Sequence, residues 1–332
     1  MHQRELRHAG RRRAPRPEPL PWRCREKTAC RNRPRLQIWR PSCHSPASRR
    51  LAGQVVKKKN GPQPAGSEGV RIAKAIAKAG LCSRREAERW IEAGRVTVNG
   101  QRLDSPAFVV TPSDRITVDG KPLPEAAPVR LWRYHKPKGL VTTHRDPEGR
   151  PTVFDALPGE LPRVISVGRL DIATEGLLLL TTDGALARHL ELPATGWLRR
   201  YRVRARGSVT QEALDALQEG VIIEGVKYGP VQAKLDRVQG ANVWLTVALR
   251  EGKNREVKRI AAHLGLAVNR LIRTSFGPFS LGDLPPGGLA EVKPRVLADQ
   301  LGPDMAARFG LKAGGTASDG GARRERARRR SG

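Results

Sequence analysis

The sequence GRLDIATEGLLLLTTDG, residues 168–184, decides the fold of this chain. A short apolar strand precedes it, and its own apolar run at residues 177–182 forms a second strand. Between the strands lies a bend bracketed by Gly168 and Gly176, which permit tight turns and the close approach of a ligand. The bend presents the carboxylate of Asp171 on a loop held by two core strands, a suitable place for catalysis.

This stretch alone leaves a simpler interpretation open. In that interpretation Asp171 has only a structural role: it caps a turn or pairs with Arg169, two residues before it.

Outward from this stretch, strands and helices are interspersed without a regular βαβ period, which favours the α+β class. On the N-terminal side, residues 70–81 have a helical period that Gly80 can stop, and Ser83-Arg84-Arg85-Glu86 is a capping box for a second helix. Asn99-Gly100 and Asp119-Gly120 each predict a tight hairpin. On the C-terminal side, residues 201–206 alternate with period two, so their arginines share one face of a strand.

The charge is strongly positive and uneven. The 332 residues carry 62 Lys and Arg against 32 Asp and Glu, a net charge of +30. Residues 1–60 hold 18 basic and 3 acidic residues, and residues 312–332 hold 7 and 2. A basic chain of this kind indicates a polyanionic partner, with nucleic acid favoured over membrane or acidic protein.

Several classes are excluded. The longest purely aliphatic run, residues 177–180, is far shorter than the roughly 20 residues of a membrane span, and we expect no secretory signal. Cys24, Cys30 and Cys43 lie in the N-terminal tail, only Cys82 lies in the core, and no C-x-x-C pair occurs, so we expect no metal site. We predict a location in the reducing cytoplasm.

Four motifs in order identify a family. Residues 168–184 resemble the catalytic motif of the RsuA/RluB-type ribosomal RNA pseudouridine synthases, and residues 136–139, KPKG, resemble the opening motif. GKNREVKR at 252–259 resembles the later basic motif, and Leu271-Ile272-Arg273 followed by Gly277 resembles the closing one. Residues 70–120 resemble the S-four-type RNA-binding domain.

The resemblance implies a domain organisation. A small αα-β RNA-binding domain is joined by a linker to a mixed, largely antiparallel sheet of the pseudouridine synthase type. We predict a disordered basic tail at 1–66, the RNA-binding domain at 69–128 with a proline-rich linker at its end, the catalytic domain at 129–302, and a second disordered basic tail at 312–332.

The family reaction needs no cofactor and no second substrate, because uridine is isomerised: the bond from C1′ to N1 breaks, the base turns, and C1′ joins C5. The resemblance makes Asp171 the essential nucleophile or base, with the chemical route left open. It also implies that Tyr201 stacks on the flipped uracil and assists removal of the C5 proton, and that Lys258 keeps Asp171 ionised. Arg169 is expected to fill the space left by the flipped uridine, or alternatively to act only as an ion-pair partner.

The predicted RNA contacts are basic residues of both domains. They are Arg169, Arg71, Lys74, Arg84, Arg85, Arg89, Lys136, Lys253, Arg255 and Arg259.

Two other functions stay open at this point. One is a non-catalytic RNA-binding or ribosome-assembly factor, and the other is a glycosidase or nucleosidase that combines Asp171 with Glu175 or Asp183. Residues 254–257 resemble the large-subunit members of the family more than the small-subunit members, and this resemblance implies large-subunit (23S) RNA over small-subunit (16S) RNA as the substrate. The resemblance implies ribosomal RNA or a pre-ribosomal particle as the partner, and we expect a monomer. The modified nucleotide and the role of the tails do not follow from the sequence.

Overall fold

The computed structural model describes residues 69–311. The predictions made for the basic tails at 1–66 and 312–332 lie outside these residues.

The first part of the described chain is built from two short helices and six short strands. The elements are β1 (Val70–Arg71), α1 (Ile72–Lys78), α2 (Arg84–Glu92), β2 (Val96–Val98), β3 (Gln101–Arg102), β4 (Val109–Val110), β5 (Ile116–Val118) and β6 (Lys121–Pro122). Antiparallel pairing gives a sheet in the order β3-β2-β5-β6 and a separate pair of β1 with β4. The helices and strands share one apolar core that includes Ile72, Ile76, Ile91 and Val96.

The local signals act here as predicted, with two corrections. The Ser83 hydroxyl accepts a hydrogen bond from the backbone N–H of Glu86, and both residues of the Asn99-Gly100 turn have positive φ, at 52° and 81°. Helix α1 begins only at Ile72, because Val70 and Arg71 pair with β4 instead, and it ends at Lys78, just before the predicted stop at Gly80, whose φ is 82°. The predicted linker also begins inside the sheet, since β6 pairs with β5.

The second part consists of a nine-stranded mixed sheet, a separate antiparallel pair of strands, and flanking helices. Its elements are β7 (Leu131–Lys136), β8 (Ile165–Val167), β9 (Thr174–Thr181), α3 (Gly184–Glu191), β10 (Arg199–Arg206), α4 (Gln211–Asp215), β11 (Val221–Ile223), β12 (Val226–Tyr228), β13 (Val231–Gln239), β14 (Asn242–Leu249), α5 (Glu256–His263), β15 (Ala267–Phe276), β16 (Phe279–Ser280), β17 (Leu289–Val292), α6 (Pro294–Leu301) and α7 (Pro303–Arg308). Short 3₁₀ turns cover Pro193–Thr195 and Ala216–Glu219.

The sheet order is β13-β14-β10-β15-β9-β7-β17, with β8 also paired to β9 and β16 to β15, and the separate pair is β11 with β12. In this sheet β9 and β15 pair in parallel, whereas the other pairs are antiparallel. The predicted α+β class and mixed, largely antiparallel sheet are therefore confirmed. None of the helices within residues 69–311 is long and apolar enough to cross a membrane.

Asp183 and Gly184 begin a helix that the sequence reading did not anticipate. The Asp183 carboxylate accepts hydrogen bonds from the backbone N–H groups of Ala185 and Leu186, at 2.7 and 2.8 Å, and so caps α3. Helices α3, α6 and α7 pack against the β7–β9 half of the sheet, while α4 and α5 pack against the β10–β15 half.

Candidate active site

The loop between β8 and β9 presents Asp171 at a cleft and is fixed by the backbone. The N–H of Gly168, whose φ is 67°, donates to the Glu191 carboxylate at 2.6 Å. Inside the loop, the N–H of Thr174 donates to the carbonyl of Asp171 at 2.9 Å. The N–H of Gly139 in the KPKG segment donates to the carbonyl of Ile172 at 2.8 Å. These bonds on both sides of Asp171 hold its backbone in one conformation.

Gly176 allows β9 to approach β15 more closely than any other residue would. It pairs with Arg273 across the parallel strands, and its φ is 104°. A Cβ at this position would overlap the Arg273 carbonyl oxygen and lie 2.7 Å from the Arg273 nitrogen. The second glycine of the bracket is therefore required by strand packing.

Lys136 supports the same loop from inside the protein. Its side chain is fully buried, and Nζ donates to the carbonyl oxygens of Thr174 at 3.0 Å, Pro137 at 3.1 Å and Ile172 at 3.4 Å. Burial lowers the pKa of Lys136 to about 8, an effect opposed by the negative charges of Asp171 and Glu175. The predicted contact of Lys136 with RNA does not fit this structure. The ammonium group is enclosed by carbonyl oxygens and is not accessible to a phosphate group.

Lys258 on α5 approaches Asp171. Its Nζ lies 3.4 Å from Oδ2 of Asp171, and 19% of the lysine side chain and 41% of the aspartate side chain are exposed. Helix α5 starts at Glu256 after Arg255, whose left-handed φ of 51° turns the chain into the helix. The structure therefore brings together two residues that lie 87 positions apart in the sequence.

Tyr201 lies half-buried on β10, in register with Arg273 of β15 and Val247 of β14. It lines the same cleft as Asp171 and Lys258, and this cleft has a volume of about 890 Å³. Arg169, Lys253 and Arg255 also line it, and all three are exposed. Arg259 lies on the same helix as Lys258, where Nη1 is 3.5 Å from the Tyr228 hydroxyl.

Three buried charged residues of the cleft were not assigned a role by the sequence reading. Arg199 donates to the carbonyl oxygens of Trp197 and Arg250, and burial lowers its pKa. Arg273 donates through Nε to the carbonyl of Leu177 at 2.8 Å, and its Nη2 is buried without a hydrogen-bond partner.

Glu256 is the third. Its Oε2 accepts from the backbone N–H of Lys253 at 3.0 Å, while Oε1 is buried without a partner, and burial raises the pKa of this carboxyl. Arg273 and Glu256 both fall within the motifs described above. The local sequence, however, does not distinguish a charged side chain that becomes buried from one that stays exposed.

The two carboxylates that a hydrolytic mechanism would need are engaged elsewhere. Glu175 forms an ion pair with Arg270 at 2.8 Å, and Asp183 caps α3. Neither of them is among the residues lining the cleft. The combination of Asp171 with Glu175 or Asp183 is therefore not formed in this structure.

The predicted RNA contacts of the N-terminal part are exposed and lie on β1, α1 and α2. They are Arg71, Lys74, Arg84, Arg85 and Arg89. Within residues 69–311, no group of three or more His, Cys, Asp or Glu side chains is arranged to hold a metal ion.

The fold and the site together define an enzyme whose cleft joins a carboxylate, an ammonium group and a phenol, and which carries a separate basic module. Comparison with known proteins agrees with this class. A family model described as S4 domain matches residues 70–116, and one described as RNA pseudouridylate synthase matches residues 130–263.

Relatives match over most of the described chain. An uncharacterized RNA pseudouridine synthase of Rickettsia prowazekii is 47% identical over 231 residues, which cover 70% of this chain and 97% of the relative. The ribosomal large subunit pseudouridine synthase B of Pseudomonas aeruginosa is 43% identical, covering 70% of this chain and 63% of the relative. The protein of the same name from Salmonella typhi is 44% identical, covering 67% and 79%. A crystal structure of a pseudouridylate synthase, 29% identical, aligns with a TM-score of 0.47 over 68% of this chain and 96% of that one.

The identity to these relatives, over most of their length, shows that the chain belongs to the RNA pseudouridine synthase family.

Proposed function

We propose that this enzyme converts specific uridines of large-subunit ribosomal RNA to pseudouridine, with Asp171 as the essential carboxylate. The observation that carries the proposal is the Asp171–Lys258 pair, with 3.4 Å between Nζ and Oδ2, in a cleft that Tyr201 also lines. The choice of large-subunit RNA is supported by the relatives from Pseudomonas aeruginosa and Salmonella typhi, which are named for that subunit.

The chemistry follows from what these side chains offer. Asp171 attacks the sugar or the base, or removes a sugar proton, and the bond from C1′ to N1 breaks. The freed uracil turns and C5 bonds to C1′, while the bond to Asp171 breaks, or, in the proton-transfer route, the sugar regains its proton. The C5 proton is then lost to a base and N1 gains a proton, so the mass of the nucleotide is unchanged. Lys258 places an ammonium group 3.4 Å from Oδ2 of Asp171, where its positive charge holds and orients the carboxylate during the reaction. Tyr201 stacks on the base and assists removal of the C5 proton.

The reaction requires that the uridine leave its helix, since a stacked base cannot reach Asp171. Arg169 is exposed two residues before Asp171 and lines the cleft, so we assign it the space that the uridine vacates. Basic residues near the cleft, Lys253 and Arg255, and the exposed cations of α1 and α2 hold the flanking phosphates.

Release of tritium from uracil C5 tests the reaction. A 23S transcript labelled at C5 should lose label with the native enzyme and none with Asp171→Asn, whereas RNA affinity should change little. Asp283→Asn, an exposed carboxylate outside the cleft lining, is the matched control and should keep full activity. Release at the native rate by folded Asp171→Asn protein would refute the role of this carboxylate.

Mapping pseudouridine in cells tests the substrate. A strain without the gene should lack pseudouridine at one or a few positions of 23S RNA, and the native gene, but not an Asp171→Asn gene, should restore them. Loss confined to 16S RNA would overturn the proposed subunit. Restoration by the Asp171→Asn gene would instead support a non-catalytic assembly factor.

A further inference from the structure

Strand β10 carries arginines that the active site does not use. Arg200, Arg202, Arg204 and Arg206 alternate with residues that point to the cleft or the core, among them Tyr201. Side chains of a strand alternate between the two faces of the sheet, and β10 pairs with β14 over all eight residues without a register shift. The four arginines therefore face away from the side that holds the cleft.

Neighbouring strands add further cations to that side. Lys234 and Arg237 of β13 lie in register with Thr246 and Trp244, which themselves pair with Arg202 and Arg204, and Arg270 of β15 also pairs with Arg204. We call this surface the arginine face, and it consists of Arg200, Arg202, Arg204, Arg206, Lys234, Arg237 and Arg270.

An aromatic ring lies within the arginine face. The guanidinium carbons of Arg202 and Arg237 are 4.8 and 5.6 Å from the centre of the Trp244 ring, so cation–π contacts hold both side chains in place. Two carboxylates reach the surface: Glu175 pairs with Arg270, and Asp236 accepts a hydrogen bond from Thr246. Positive charge remains in clear excess.

The surface is open and suits an anion. Within the described chain, the members of the face other than Arg204 are exposed, while α4 and α5 cover the opposite side of these strands. The remaining segments at 1–60 and 312–332 are themselves strongly basic, so charge repulsion disfavours either of them as a cover. Arginine binds phosphate in a bidentate manner, and fixed guanidinium groups lose less side-chain entropy on binding.

We propose that the arginine face is a second RNA-binding surface, which holds the phosphate backbone of a ribosomal RNA segment remote from the modified uridine. The substrate of an RNA pseudouridine synthase continues on both sides of its target, so a strand that leaves the cleft can pass around the edge of the sheet. The inference rests on the proposed large-subunit RNA substrate and on this surface, and it does not depend on the role of Asp171.

A charge-matched comparison tests the proposal in the full-length protein. The face variant is Arg202→Gln, Arg206→Gln and Arg237→Gln together. The control variant is Lys293→Gln, Arg295→Gln and Arg308→Gln, three exposed residues at or in α6 and α7. Thermal denaturation first establishes that both variants are folded.

Binding of 23S transcript is then measured by filter retention at several salt concentrations. The face variant should bind at least 10-fold more weakly than the control, and its slope of log affinity against log salt should be smaller by about 2, because each lost phosphate contact removes roughly 0.7–0.9. Tritium release at saturating RNA should stay at the native rate, which distinguishes this surface from the cleft. A variant that keeps the charges, Arg202→Lys, Arg206→Lys and Arg237→Lys together, should recover most of the salt slope.

Equal affinities for the face and control variants would overturn the proposal. A face variant with native affinity for free RNA but weaker association with pre-ribosomal particles would overturn it as well, since the surface would then bind a protein.

Discussion

Lys258 forms an ion pair with Asp171, so under the proposed function the reactivity of Asp171 depends on this cation. We expect Lys258→Met to lower the single-turnover rate of tritium release by on the order of 100-fold, because a preorganised charge beside the reacting group is lost. RNA affinity should remain within a few-fold of native. Lys258→Arg, which keeps the charge, should retain a substantial part of the rate. Equal rates for the Met and Arg variants would show that charge at this position is not what matters.

Lys136 contributes to the same site without reaching its surface. Burial lowers the pKa of Lys136 to about 8, whereas the pKa of a lysine in the unfolded chain is about 10.4. Between these two values the unfolded chain binds more protons than the folded one, so the free energy of unfolding rises with pH across this window. Below it both states carry the proton, and the contribution is constant.

Replacing Lys136 tests this directly. Lys136→Met removes the titrating group, so the native protein should gain stability relative to the variant by about 2 kcal/mol between pH 7.5 and pH 10. Urea denaturation at these two values measures the difference, and native and variant stabilities that change in parallel with pH would contradict it.

The parallel pairing of β9 with β15 depends on one small residue. Gly176→Ala should destabilise the protein by about 2–4 kcal/mol, because a Cβ would overlap the Arg273 backbone and alanine disfavours a φ of 104°. Gly184→Ala is the control: it lies in the same segment at the start of α3, and its Cβ would meet only the Ile165 Cδ1 atom, at 3.5 Å. Thermal unfolding should separate the two, and similar melting temperatures would argue against the packing requirement.

Elements with contiguous signals are the ones that the sequence predicts well. The Ser83 cap, the Asn99-Gly100 turn and the strands around Asp171 each depend on residues within a few positions of one another. Helix α3 was missed because Asp183-Gly184 fits the end of a strand as well as the start of a helix. At the site, the motifs led to Asp171, Tyr201 and Lys258, whose roles stay proposals. They did not separate the buried Lys136 from exposed lysines, since its burial is created by the assembled sheet and loop.

The charge of the whole molecule predicts a second, unspecific contribution to binding. Removing residues 1–60, with 18 basic and 3 acidic residues, should lower the affinity for 23S transcript at low salt and reduce the salt slope. The rate of tritium release at saturating RNA should be unchanged, because the residues assigned to the cleft all lie beyond position 130. Filter binding and single-turnover kinetics on the shortened protein check both expectations. An unchanged salt slope would show that these charges do not contact the RNA.

The hydrogen bond from Arg273 to Leu177 joins β15 to β9, and the two bonded residues lie 96 positions apart in the sequence. Ordering the chain between them costs closure entropy before any pairing is gained, which makes such a topology slow to form. During translation β9 emerges long before β15, so the nascent polypeptide has no completed cleft until its last long strand has left the exit tunnel. The nascent chain can therefore modify RNA only after residue 276, the last residue that lines the cleft, has emerged.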